Sequence, residues 1–167
     1  VAGTAGGTTH LVAHAATKAL LFLAAGAWLT ALGTKQLDGL RGVARRWPVV
    51  GISATIGLLA LAGVPPLSLW ATKDEILAAV RESSTALAVV TLVAAALSAG
   101  YAGKVLVVLW ARPSPDHTAA DIENDFDTEE PGTRSVPSVA QSALIPLAVG
   151  AAVLGALALP PLSTEIA

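Results

Sequence analysis

Long apolar stretches separated by two charged connections of opposite sign set the pattern of this chain. The first runs from about Leu11 to Leu32 with Lys18 as its one charged residue. No residue is charged from Trp47 to Thr72, only Lys104 is charged from Ser83 to Ala111, and none is charged from Ser135 to Thr164. A hydrocarbon layer about 30 Å thick is crossed by about 20 helical residues, so runs of this size predict an all-α, polytopic transmembrane helix bundle of about four to five spans. The runs are rich in Ala, Leu, Val and Gly, and such small residues let helices approach closely where no hydrophobic effect drives them together.

The second run is interrupted. Pro65 and Pro66 remove two backbone donors and break the helix that begins after Pro48, and the chain then reaches Lys73, Asp74 and Glu75. Two readings stay open. The prolines make an ordinary turn at the surface, followed by a solvated helix start, or one span is discontinuous near Pro65-Pro66 at membrane depth. The second is tolerated only where protein or a water-lined cavity covers the freed backbone, and it is a common pointer to ion pathways. The last run carries Pro146 and no titratable side chain, which suits packing with a kink.

Composition agrees with a membrane protein. Of the 167 residues, 54% are hydrophobic and 13% charged, where a soluble domain carries about 25% charged. With no cysteine, the chain offers no thiolate metal site, iron–sulfur cluster or c-type haem attachment, and no cofactor is expected on it. The connection GTKQLDGLRGVARRWP is basic and rich in turn residues. The connection from Arg112 to Arg134 sets seven carboxylates against two arginines and reads as a solvated, poorly ordered link. The chain therefore divides into a membrane region over 1–111, an acidic loop over 112–134 and an additional transmembrane helix over 135–167. Its start within an apolar pattern suggests a piece of something longer.

His10, His14 and Lys18 stand four residues apart in HLVAHAATKALLFLAAG. Steps of four advance about 40° around a helix, so the three share one stripe about 12 Å long. An ammonium at the centre of a membrane helix costs about 2.5–3.5 kcal/mol, which asks for a bundle interior or a wet cavity around Lys18. Histidine titrates near neutrality, so such a stripe is able to pass protons. The competing reading puts the histidines in the headgroup region with Lys18 snorkelling. A His-x-x-x-His metal site lacks the acidic residue between the histidines and a further ligand. Lys104 lies near Trp110 and Arg112, where snorkelling is expected, and GYAGK lacks the Ser/Thr and strand context of a phosphate-binding loop. No nucleic-acid or nucleotide partner is indicated.

Taken together, HLVAHAATKALLFLAAG, LDGLRGVARRWP, LLALAGVPPLSLWATKDEIL and YAGK resemble the antiporter-like, proton-translocating membrane subunits of respiratory complex I, NADH–quinone oxidoreductase, most of all the subunit L (chain 5) type. Subunits of multisubunit sodium/proton antiporters share the first motif and AGVPP but commonly follow the later lysine with glutamate, where this chain has Asp74. The resemblance covers His10 to about Tyr101. It implies the second of two inverted five-helix repeats, each with a discontinuous helix, in an integral protein of the bacterial plasma membrane. By the same resemblance, Lys18 falls on the family's central lysine, His10 and His14 on its connecting histidines, and Lys73 on the terminal lysine of the broken helix with Asp74 beside it. The implied function is proton translocation through these buried groups, without redox catalysis on this chain, alongside other membrane subunits, lipid and protons as partners. A sodium/proton antiporter subunit and a structural membrane fragment without transport are the alternatives. Leu69-Trp70 replaces the family's usual Gly-Phe, and Lys104 stands where arginine is usual.

Overall fold

A computed structural model of the chain describes residues 2–34, 36–112 and 132–154, and these are helical or connect helices throughout. Helix α1 spans Ala2–Leu32. A 3-10 turn at Asp38–Leu40 and the single-turn α2 (Val43–Arg46) follow. Pro48 opens α3 (Pro48–Ala62), where its missing donor is no loss because a first-turn N–H has no intrahelical partner. Then come α4 (Ser68–Ser83), α5 (Thr85–Trp110) and α6 (Ser138–Val153). The acidic connection at 113–131 and the end of the last apolar run lie outside the described residues.

Long-range contacts fix the course of the chain. The Trp110 indole donates to Thr55 Oγ1 at 2.9 Å and Ser98 Oγ donates to the Leu61 carbonyl, so α3 and α5 run antiparallel. Gly57 of α3 packs at Leu20 and Leu21 of α1, while His10, further from the C-terminal end of α1, meets Thr72 of α4. Moving back along α1 thus means moving forward through α3 and on into α4, which together form one passage antiparallel to α1.

This arrangement gives the discontinuous span near Pro65-Pro66. Among the described residues two helices, Gly7–Leu32 and Thr85–Trp110, are each long and apolar enough to cross a membrane. The second apolar run is not a single spanning helix: α3 has 15 residues and α4 has 16, about 22 and 24 Å at a 1.5 Å rise, so neither half alone covers a layer of about 30 Å. The two halves in series do. Helix α6 is described over 16 residues and runs unbroken through Pro146.

The core lies where α1, α3 and α6 meet. Leu20, Ala24, Ala27, Trp28 and Ala31 face inward from α1, Val50, Ala54 and Leu58 from α3, and Leu144, Ala148 and Ala151 from α6, with Ala102 and Leu109 joining from α5. The rows step by three and four residues, the spacing of one helix face. The remaining surface of α5 is different: Leu87, Val90, Leu97 and Val107 are all exposed.

The basic connection is an ordered cap. Gly42 N–H donates to the Val108 carbonyl at 3.0 Å, Arg45 Nε to the Trp110 carbonyl at 2.8 Å and Arg41 Nε to the Arg112 carbonyl at 3.2 Å. The last carbonyls of a helix have no intrahelical partner and carry the negative end of its dipole, so guanidinium donors suit them. The end of α1 is served in the same way by the segment preceding α6, where Thr133 and Arg134 N–H groups donate to the Thr30 and Ala31 carbonyls, each at 2.9 Å.

Gly51 makes the cap possible, because a Cβ there would stand 2.7 Å from the Cα and the carbonyl oxygen of Ala44 in α2. At Gly57 the nearest atom is instead the tip of the flexible Leu21 side chain, at 2.9 Å. Gly51→Ala is therefore expected to destabilise the folded subunit by about 1–3 kcal/mol, the range for overpacking against atoms that cannot move aside. Gly57→Ala is expected to cost less, and thermal unfolding of the two variants in detergent compares them directly.

Candidate functional site

The site begins with how α3 ends. Gly63 adopts a left-handed conformation (φ 81°), which a residue without Cβ enters freely, and turns the chain out of the helix. Its N–H donates to the Ala60 carbonyl and that of Val64 to the Leu59 carbonyl, at 2.9 and 3.0 Å. This Schellman arrangement satisfies two of the terminal carbonyls. It leaves that of Leu61 to find donors elsewhere. A cis Pro65-Pro66 bond follows, and α4 restarts at Ser68.

Lys73 supplies the donor. Its Nζ lies 2.6 Å from the Leu61 carbonyl, and Ser98 Oγ reaches the same oxygen from α5 at 3.4 Å. The ammonium thus sits on the negative end of the α3 dipole. The aliphatic part of Lys73 lies over Gly63, where an added Cβ would meet Cδ at 3.3 Å. Among the described residues Lys73 makes no ion pair with Asp74 or Glu75.

The depth of the break follows from its contact with α5. Ser98 is 13 residues from Thr85 and 12 from Trp110, so it stands about 20 and 18 Å from the two ends of the helix. The interruption lies at the middle of a spanning helix. An ordinary turn at the membrane surface does not fit that position.

On the other side, His10 Nδ1 lies 2.9 Å from Thr72 Oγ1, and the His10 and His14 rings stack with centroids 5.6 Å apart. Which histidine nitrogen carries a proton depends on the tautomer. Both imidazoles, Lys73 and Asp74 line one open cavity of about 410 Å³ among α1, the end of α3, α4 and α5, with Leu61, Trp70 and Ser98 also in its wall. The cavity is mostly apolar with a few convergent polar groups, the usual make-up of a binding or transfer site.

The histidine pair and the Lys73–Asp74 pair, about 60 residues apart in sequence, therefore share one space. Lys18 does not line it; it stands exposed one turn beyond His14 on the same helix, near the midpoint of α1. Asp74 is exposed at the cavity's edge. Leu69 and Trp70 form a regular first turn of α4, Leu69 fully buried and Trp70 on the cavity wall. Lys104 is exposed on α5, away from the cavity. Sequence reasoning does not single out Leu61, Thr72 or Ser98. Thr72 and Ser98 are hydroxyls inside otherwise apolar runs, which is a faint signal, and a backbone acceptor leaves none at all. No group of three or more His, Cys, Asp or Glu side chains that could hold a metal ion occurs among the described residues.

Comparison with known proteins agrees with this architecture. The family described as "NADH:quinone oxidoreductase/Mrp antiporter, TM" matches residues 1–98. Similar proteins include NADH-quinone oxidoreductase subunit L of Rickettsia felis, 36% identical over 104 residues that make up 62% of this chain and 16% of the relative. Chloroplastic NAD(P)H-quinone oxidoreductase subunit 5 of Spinacia oleracea is 33% identical over 108 residues, 59% of this chain and 15% of the relative. Hydrogenase-4 component B of Escherichia coli is 36% identical over 91 residues, 52% of this chain and 14% of the relative. The matched segment thus spans about a sixth of these proteins' length. With more than half of its residues matched by the family and the discontinuous passage in place, this chain belongs to the NADH:quinone oxidoreductase/Mrp antiporter transmembrane family.

Proposed function

We propose that this chain forms part of a proton path across a membrane, within a multisubunit assembly of the NADH–quinone oxidoreductase type. The observation that carries the proposal is the convergence of His10, His14, Lys73 and Asp74 on one cavity at the mid-depth break. An amine and two imidazoles exchange protons without forming or breaking other bonds, so the path needs only groups within reach of each other or of intervening water. A cavity of about 410 Å³ has room for several waters, each taking about 30 Å³ in the liquid. Similar proteins are named as subunits of oxidoreductase and hydrogenase complexes, which favours other membrane subunits as partners and puts any redox chemistry on them. Lys18 extends the path in this proposal. It continues the stripe of His10 and His14 on the face of α1 that other helices of a longer subunit would cover. A bare ammonium exposed to lipid at that depth is expensive, which argues for such a cover.

Lys73→Arg separates proton exchange from anchoring. Arginine keeps the charge and can still donate to the Leu61 carbonyl, but it is effectively never deprotonated in proteins. In the full-length subunit within its assembled complex, proton uptake into vesicles is expected to fall to about a tenth or less while assembly is retained. Near-normal uptake would reduce Lys73 to a strut for the broken helix. Uptake that follows sodium instead of proton concentration would assign the chain to sodium/proton exchange.

The two groups on α1 are expected to differ. Lys18→Ala should abolish most coupled pumping while electron transfer on other subunits partly survives. His14→Ala should do less harm, because water held by the cavity's few polar groups can bridge one helical turn. Proton-to-electron ratios measured on the two variants side by side check this order, and full pumping in Lys18→Ala would remove that lysine from the path.

A further inference from the structure

At the C-terminal end of α5, about half a helix length from the break, the cap and the residues just after the helix carry Arg41, Arg45, Arg46 and Arg112, all exposed. Arg41 and Arg45 commit their Nε atoms to carbonyls of Arg112 and Trp110, which fixes both guanidinium groups in place. Among the described residues, their terminal nitrogens make no hydrogen bond. Arg46 lies over the Trp47 ring, 4.6 Å from its centroid, a cation–π contact that holds it at the surface. Among the described residues, none of the four forms an ion pair with a carboxylate.

We propose that this arginine cluster is a binding site for the phosphate of an anionic phospholipid whose acyl chains lie along α5. Three observations converge on that ligand. The planar guanidinium fork matches phosphate oxygens, two forks being already oriented by the helix end they cap. The cluster stands beside Trp47 and Trp110, indoles of the kind that settle at the headgroup level of a bilayer. The surface leading to it is apolar and open: Val107, one turn before Trp110, is 70% exposed, and Leu97 equally so. An acidic protein partner would use the arginines but leave that apolar run without a counterpart. A lipid uses both.

The test uses the assembled complex in phosphatidylcholine nanodiscs containing a photoreactive phosphatidylglycerol, with crosslinked peptides mapped by mass spectrometry. Labelling is expected around 41–47 and 107–112, well above that by a photoreactive phosphatidylcholine. Juxtamembrane basic residues each strengthen attraction to anionic lipid by about fivefold, so Arg46→Gln should lower labelling by about that factor and Arg41→Gln with Arg46→Gln by more. Arg46 caps no helix end, so its single variant keeps the test independent of folding. Equal labelling by the two probes, or unchanged labelling in the Arg46 variant, would overturn the site. Loss of labelling in excess inorganic phosphate would show a free-anion site instead. Labelling that emerges only after the carboxylates between Asp116 and Glu130 are replaced by their amides would assign the arginines to the chain's own acidic segment, and would equally overturn the proposal.

Discussion

The constraint on which this structure turns is the unpaired carbonyl at the end of α3. A helix that stops in the middle of a bilayer leaves backbone oxygens that no solvent lipid can satisfy. Gly63 turns the chain so that two of them are used internally, and the Leu61 oxygen then draws Lys73 from α4 and Ser98 from α5 onto one atom. Three helices are fixed relative to each other by that meeting. The position of Thr72, hence its contact with His10, follows because it precedes Lys73 on the same turn. The cavity is what remains between α1 and the two halves of the broken passage.

The C-terminal ends of α5 and α1 solve the same problem with different means. There the last carbonyls of α5 and α1 lie near the polar boundary, and they are met by connecting segments: arginine side chains and a glycine N–H on α5, backbone N–H groups of Thr133 and Arg134 on α1. The basic connection and the described residues just before α6 differ greatly in sequence, yet each lies against a helix terminus. The connection that looks like a simple basic loop is in this sense a structural element, and its tight approach at Gly51 leaves it little latitude.

Much of this was legible in the residues. Uncharged runs predicted membrane helices, the paired prolines marked the interruption, and the four-residue spacing of His10 and His14 put them on one face that the structure turns toward Lys73. What the residues left open was depth, since a proline pair reads the same at a surface turn and in mid-bilayer; the contact between Leu61 and Ser98 decides it. The partner of Lys73 was hidden for a simpler reason: neighbouring carboxylates are visible in a sequence, while a main-chain oxygen is not. The outward placement of Lys18 was also unreadable, because a helix apolar on nearly all sides does not reveal which side meets its neighbours.

The choice of a neutral oxygen as the anchor for Lys73 has a consequence for how the site works. A carboxylate partner grips an ammonium strongly and an amine weakly, so its geometry would shift each time the proton left. A carbonyl accepts an N–H from either form. In the proton path proposed above, Lys73 therefore keeps an acceptor at Leu61 in both charge states, and the break between α3 and α4 would then serve as a fixed mount instead of a hinge.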